Sequence, residues 1–310
     1  MKDGLVTLVG GGGFVGRYVA QALLARGARV RIAQRNPSAA AFLKPLGGLG
    51  QTQFVAVDVT KPESVARAIA GSDAVVNLVG SFANMEAIHV AGAANVARAT
   101  AAAQVAALVH VSAIGADPES PSNYGRTKGA GEAAVRAAFP AATILRPSLV
   151  FGREDQFTNR FAGMIAKAPV LPVLRGSAKF QPVYVKDVAA AVVAALGDAG
   201  AFGGRTYEIG GPDVLSMRQI NAFLAEQIGR NPMIVDVPDG AGALIAKLGF
   251  LPGAPITSDQ WAMLQGDNVV GAGADGLQAL GIVPTPMAAV VGDWLVRFRR
   301  HGRFAKRAAA

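Results

Sequence analysis

Tyr124-Gly125-Arg126-Thr127-Lys128 sets a phenol and an ammonium four residues apart, and on a helix residues at that spacing share one face. A free phenol, with a pKa near 10, is a poor acid or base at neutral pH. A neighbouring ammonium stabilises the phenolate and brings it towards working range. Ser112 lies upstream and could polarise a carbonyl. Ser112, Tyr124 and Lys128 therefore form a candidate constellation for moving a proton to or from a carbonyl or an alcohol, with Lys128 also within reach of a ribose hydroxyl.

A second cluster could hold phosphate. Gly10, Gly13 and Gly16 follow an apolar run and open a helical pattern at Phe14 and Val15. A glycine turn followed by a helix N-terminus offers unpaired N–H groups and a positive dipole end to a diphosphate. In this reading Gly10 permits the tight turn, Gly13 admits the backbone to the phosphates, and Gly16 lets helix pack on strand. An NAD site normally carries an acidic residue at the end of the second strand, to grip the ribose 2′-hydroxyl. Here that strand ends at Arg35, and no acidic residue occurs between Asp3 and Asp58. Arg35, with Arg17 as a second contact, can clamp a 2′-phosphate, which favours NADP(H) over NAD(H). Arg26, Arg29 and Arg31 read as solvated. Asp58 and Val59 are placed against the adenine, with Thr60 as the cap of the next helix. Leu78, Val79 and Gly80 are placed beside the ribose, Gly80 giving close backbone approach, and Pro147 completes the cofactor contacts.

These residues need a scaffold. Apolar runs at 5–9, 30–33, 54–57, 74–78, 107–111 and 143–145 alternate with helical patterns at 15–26, 62–70, 86–103 and 124–139. Runs apolar on both faces, separated by helices, describe an α/β protein with a doubly wound parallel Rossmann sheet. Residues 1–150 form the NADP-binding domain, its sheet completed by about 181–197 and 205–210. Residues 151–310 form a smaller substrate or docking lobe closing over the cofactor, with helices near 216–228, 240–248 and 258–265. Phe157, Phe161, Phe180 and Phe250 read as core of that lobe rather than pocket. Residues 287–306 read as an amphipathic helix ending in Arg297, Arg299, Arg300, Arg303, Lys306 and Arg307, a surface for anionic lipid or an acidic partner.

Composition narrows the classes. There is no cysteine, so disulfide and thiol chemistry is excluded. His89, His110 and His301 are too scattered for a metal cluster, and no metal is expected. The 30 Lys+Arg against 21 Asp+Glu give +9, suited to an anionic partner, but with 6% aromatics and no nucleic-acid motif that partner is not nucleic acid. No apolar run reaches the roughly 18 residues of a membrane span. A signal peptide is absent from the start, so a cytoplasmic protein is expected, with peripheral contact on the inner face of the cytoplasmic membrane open.

The glycine spacing, strand-end Ser112 and the Tyr124/Lys128 pair resemble the extended and atypical short-chain dehydrogenases/reductases. Further segments resemble the nucleotide-binding accessory subunit of respiratory complex I and its bacterial homologues. They are Gly131-Glu132, Ala138-Phe139-Pro140, Arg146-Pro147-Ser148, Phe151 through Phe157, Gln181 through Val188, Thr257 through Gln260 and Asp267 through Val270. This resemblance implies a tightly held, mainly structural NADPH and a role as accessory or assembly subunit of NADH:quinone oxidoreductase, with complex I subunits as partners. The intact Ser112, Tyr124 and Lys128 keep a second reading open, an active NADPH-dependent oxidoreductase or epimerase on a small or isoprenoid-like carbonyl such as a quinone precursor.

Overall fold

The computed structural model describes residues 3–251 and 254–304, which fall into two compact units. The first comprises residues through Pro147 together with Val185–Ile209 and Gly271–Val283. In chain order it contains β1 (Leu5–Val9), α1 (Phe14–Leu24), β2 (Arg29–Gln34), β3 (Thr52–Ala56), α2 (Pro62–Ile69), β4 (Ala74–Asn77), a π-helical turn (Glu86–Gly92), α3 (Ala93–Ala102), β5 (Ala107–Val111), α4 (Asn123–Ala138) and β6 (Thr143–Pro147). Helix Val185–Gly197 and strand Thr206–Ile209 complete it.

The seven strands run in the order Thr206–Ile209, β6, β5, β4, β1, β2, β3, every pair parallel. Strand order therefore reverses between β1 and β4, the point where open α/β sheets leave a crevice at the strands' carboxyl ends. β4 and β5 are buried along their whole length, as a sheet with helices on both faces requires. One of those faces packs Val9, Val65, Ile69, Val96, Leu108 and Val135 into a single cluster.

Segment 181–197 does not extend this sheet, contrary to expectation. Val183–Tyr184 pairs instead with Val150–Phe151 in a two-stranded ribbon of the second unit, and Val185–Gly197 is a helix packed on α1. Its Ala-rich, nearly all-buried sequence suits the underside of a sheet as well as a strand, and apolar runs alone do not separate the two.

The second unit comprises Ser148–Tyr184, Gly210–Val270 and Pro284 onward. Its core gathers Phe151, Ile165, Leu171, Phe180, Leu224 and Trp294, with Phe157 and Phe161 packed against it at 4.9 Å between rings. Phe250, expected in that core, is exposed. Helices Met217–Gln227 and Ser258–Met263 start in reciprocal capping boxes, Ser216 with Gln219 and Thr257 with Gln260. The strands Val170–Leu174 and Met233–Val237 pair in parallel beside the core.

The terminal segment is not one amphipathic helix. It breaks into short turns at Met287–Val290, Gly292–Leu295, Val296–Phe298 and Gly302–Phe304, with extended backbone at Arg299. Trp294 and Leu295 are buried, so the apolar side of the segment is spent on the unit's own core. Arg297 donates to Asn159 Oδ1 and Arg299 to the Gln227 carbonyl, which ties two of the terminal cations down. Lys306 and Arg307 lie outside the described residues.

Candidate functional site

The loop joining β1 to α1 is glycine for reasons that differ along it. Gly10 has φ +84°, a region that L side chains rarely adopt. A Cβ on Gly16 would sit 2.5 Å from the Gly11 carbonyl oxygen, so Gly16 is required by the turn itself rather than by helix-on-strand packing. Gly11, which the three-residue spacing passes over, is constrained as well, since its Cβ would lie 2.8 Å from Leu8 Cβ; a Cβ on Gly12 would meet chiefly the movable end of the Gln34 side chain. Gly13, which precedes the first residue of α1, meets only the Gly10 oxygen at 3.3 Å, and Gly80 meets nothing within 4 Å. Protein packing therefore does not crowd Gly80, and its expected close backbone approach is not to another part of the protein.

Both glycines line a cavity of about 720 Å³, a volume in the range of small-molecule sites. The expected residues Gly10, Arg35, Asp58, Val59, Leu78 and Val79 line it as well. So do Thr60, Ser81 and the residues from Asn84 through the first of the π-helical turn, Glu86 to Ile88, which sequence reasoning did not mark. Phe14, Val15, Gly16, Arg17 and Pro147 are not among its lining residues. Arg17 lies over the Phe42 ring at 4.5 Å, and the Pro147 carbonyl accepts from Ile114 N at 3.0 Å. Arg35 is exposed and makes no ion pair among the described residues. Arg31 is not solvated: its guanidinium donates to the Ala68 and Ala70 carbonyls, each at 2.8 Å, tying β2 to the end of α2.

Thr60 does not cap α2, whose N-cap is Lys61 without a side-chain bond. Its N–H and hydroxyl both donate to Asp58 Oδ1, at 3.0 and 2.7 Å. These bonds, followed by the fields of Lys61 and Arg35, hold the Asp58 carboxyl below its usual range. The cavity thus has a fixed carboxylate on one wall and a free guanidinium beside it, with a glycine turn that leaves room at Gly13. These features fit a phosphorylated dinucleotide.

Ser112 directly follows β5, Tyr124 and Lys128 stand four residues apart on α4, and none of the three is a cavity-lining residue. The Ser122 side chain caps α4 by accepting from Gly125 N at 2.9 Å. Gly125 and Gly129 let the preceding loop close on the helix, since Cβ atoms there would lie 2.4 Å from Ser120 Oγ and 2.5 Å from the Asp117 carbonyl carbon. Ser112 is buried and its hydroxyl has no hydrogen-bond partner among the described residues. Lys128 is buried and donates to the Val111 carbonyl at 3.0 Å. Burial pushes it down to about 8, against the opposing pull of Glu132.

Tyr124 departs from expectation. Phe82 lies on its ring, 4.9 Å between centroids and 23° from parallel, and His89 meets it edge-on at 5.4 Å. Burial pushes the phenol up to about 12, not down towards neutrality. The expected lowering needs the Lys128 charge at the phenol, and here that ammonium is engaged by Val111.

His89 carries a network that the sequence gave little sign of. Its Nε2 accepts from Ser81 N at 3.1 Å, and Nδ1 is 2.9 Å from Thr127 Oγ1. The Thr127 hydroxyl donates to the Asn123 carbonyl at 2.8 Å, so Nδ1–H must be the donor to Thr127 and the ring is neutral. Burial, then the Lys128 charge, drives His89 down to about 4. His110, linked to Asn77 Nδ2 at 3.1 Å, is driven to about 3 by burial and the same ammonium. His89 thus joins the loop carrying Phe82 to the helix carrying Tyr124. It does so from a π-helical turn, an irregularity that is frequent at functional sites. A Cβ on Gly131 would lie 2.1 Å from the His89 carbonyl oxygen, which explains that glycine.

Glu132, one turn beyond Lys128, accepts a forked pair from Arg146 (Nε 2.9 Å, Nη2 2.8 Å), and Arg146 reaches Glu208 at 3.4 Å. The remaining motif residues hold the second unit together. Asp155 accepts from Gly152 N at 3.0 Å and Thr158 N at 2.5 Å. Ser148 Oγ bonds Asn268, and Gln181 spans Val270 N and the Gly211 carbonyl.

Residues 6–210 match the model of the NAD dependent epimerase/dehydratase family. The mitochondrial NADH dehydrogenase (ubiquinone) 1 alpha subcomplex subunit 9 of Arabidopsis thaliana is 34% identical, over 96% of this chain and 79% of its own. A ceramide reductase of Caulobacter vibrioides is 30% identical, over 81% of this chain and 80% of its own. A Citrobacter triphenylmethane reductase solved with NADP(H) superposes with a TM-score of 0.77 at 22% identity, covering 93% of this chain and 99% of that one, and so shares the fold. With the parallel sheet, the glycine turn at its switch point and this likeness over most of its length, the chain belongs to the NAD dependent epimerase/dehydratase family, in the group of the alpha subcomplex subunit 9 proteins.

Proposed function

We propose that the chain binds NADP(H) chiefly as a structural group and serves as an accessory or assembly subunit of an NADH:quinone oxidoreductase, peripheral on the inner face of the cytoplasmic membrane. The likeness to alpha subcomplex subunit 9 proteins supports the partner. Gly10 and Gly13 would receive the diphosphate on the N-terminus of α1, with Phe14, Val15 and Gly16 as its first turn. Arg35 would meet the 2′-phosphate, Asp58 and Val59 the adenine, and Leu78 to Gly80 the ribose. NAD(H) would fit less well, because Arg35 would bring a guanidinium where a 2′-hydroxyl needs a carboxylate. When bound, the dinucleotide supplies or accepts hydride.

One observation carries the structural reading. Phe82 lies on Tyr124 and Lys128 donates to Val111, an arrangement that covers the phenol and holds the ammonium on backbone. Mass spectrometry of the natively purified protein tests it. Stoichiometric NADPH released only on unfolding, with complex I subunits as companions, is the expected result. Absence of both dinucleotide and companions would defeat it.

The unpartnered Ser112 hydroxyl favours a second reading, reduction or epimerisation of a small or isoprenoid-like carbonyl such as a quinone precursor. Ser112 would donate to the carbonyl oxygen and Tyr124 would hold the proton. Tyr124→Phe should then abolish turnover and leave NADPH retention intact; turnover surviving in that variant removes the mechanism.

A further inference from the structure

The second unit carries a cationic recess unrelated to the dinucleotide cavity. It measures about 330 Å³ and lies between the end of helix Phe157–Lys167 and the turn after helix Met217–Gln227. Lys167, Arg230 and Asn231 are its polar lining. Neither cation has a hydrogen bond or an ion pair from its side chain among the described residues, and Arg230 Nε is sealed from solvent with no acceptor. Lys167 ends a helix, where the dipole favours a cation with or without a ligand. Arg230 has no such account: a buried, unanswered N–H is a cost that an anionic acceptor removes.

The recess opens onto an apolar ladder. Met233 N donates to the Pro169 carbonyl at its rim, and the strands continue in parallel register, Val170 beside Met233 and Pro172 beside Val235. Leu171 turns into the core and Ile234 packs against it. Val170, Met233 and Val235 face outward at 44%, 67% and 43% exposure. The outward side chains are aliphatic, without the aromatic anchors that dominate protein–protein hot spots. Two unanswered cations followed by an aliphatic strip match the order of groups in an anionic amphiphile.

We propose that this recess takes the phosphate of an anionic phospholipid headgroup, with the acyl chain along Val170, Met233 and Val235. The proposal gives the peripheral position suggested above a specific surface, and it depends on neither NADP(H) nor complex I. The terminal cations do not provide it, since Arg297 and Arg299 are engaged within the unit.

Flotation of the full chain with vesicles tests this surface. Phosphatidylcholine vesicles containing about one-third phosphatidylglycerol should bind the protein, and pure phosphatidylcholine should not. At about fivefold per cation near an anionic surface, Lys167→Gln with Arg230→Gln should lower partitioning about thirty-fold. Met233→Gln should lower it with no change of charge, while Arg26→Gln, a charge loss of the same kind on the first unit, should leave it within twofold. Melting curves verify folding, and if Arg230→Gln does not fold, Lys167→Gln and Met233→Gln decide alone. Equal losses in Arg26→Gln and the recess variants would overturn the proposal in favour of diffuse charge. Stabilisation by glycerol phosphate without vesicle binding would overturn it in favour of a free phosphate. Attachment to complex I membranes but not to protein-free vesicles would overturn it in favour of an acidic protein partner, and would leave the accessory-subunit reading standing.

Discussion

The phenyl ring of Phe82 lies 4.9 Å from the phenol ring of Tyr124 and nearly parallel to it. Phe82 is itself 58% exposed, so an aromatic side chain is held at the surface by what lies beneath it. Replacing it with alanine should let water reach the phenol and bring its titration from about 12 back towards 10. Phenolate absorbance, taken as the difference from the Tyr124→Phe chain, measures the change. The lost stacking should cost about 1 kcal/mol in urea unfolding.

Arg35→Ala should weaken NADPH binding about ten- to a hundredfold, the worth of a hydrogen bond to a charged group, and leave NADH binding unchanged. Calorimetry on the two dinucleotides reads the selectivity directly. A parallel loss for both would mean that Arg35 does not meet the 2′-phosphate.

Two glycines separate what the fold needs from what a ligand needs. Gly16→Ala places a Cβ against backbone at 2.5 Å and should lower the melting temperature of the protein without added dinucleotide. Gly80→Ala meets no protein atom and should leave that temperature unchanged while weakening NADPH binding. Thermal melting with and without NADPH distinguishes them.

Acid should destabilise the protein through its buried histidines. His89 is held at about 4 and His110 at about 3, against 6.5 when unfolded. The unfolded chain therefore binds protons that the folded one refuses, and stability, complete above pH 6.5, falls as pH drops towards 4. Each histidine should contribute about 2 kcal/mol of loss by pH 4.5. His89→Gln should flatten the urea-monitored pH curve over that window.

Lys128 points the other way. Burial disfavours its charge, so Lys128→Met should raise the melting temperature at pH 7 while removing any ribose contact. Glu132 keeps its forked Arg146 partner in that variant and is not left alone in the core.

Much of this was legible in the residues. The alternation of β-branched runs with Ala-rich helices dictates the parallel sheet, and Gly10, Arg35 and the stretch Asp58–Val59 fall where strand ends must fall. Within the segment 181–197, expected in the sheet, residues 185–197 are a helix, because a largely apolar run satisfies a buried helix as well as a strand. The terminal basic segment differs from its amphipathic pattern because periodicity does not reveal that Trp294 and Leu295 are needed by a core elsewhere in the sequence. Phe82 left no local signal, since its partner Tyr124 is remote in sequence. His89 sat between Ile88 and Val90 with no periodic cue, and its role depends on Ser81 and Thr127 together.

A π-helical turn accommodates one residue more than an α-helical turn of the same reach. Removing a single residue between Glu86 and His89 would let the segment wind as ordinary α-helix and swing His89 by about 100° about the axis. The imidazole would then leave Ser81 and Thr127 at once, and the loop that covers the phenol would be uncoupled from the helix that carries it. The length of this short stretch, more than its composition, decides whether Tyr124 is shielded or bare.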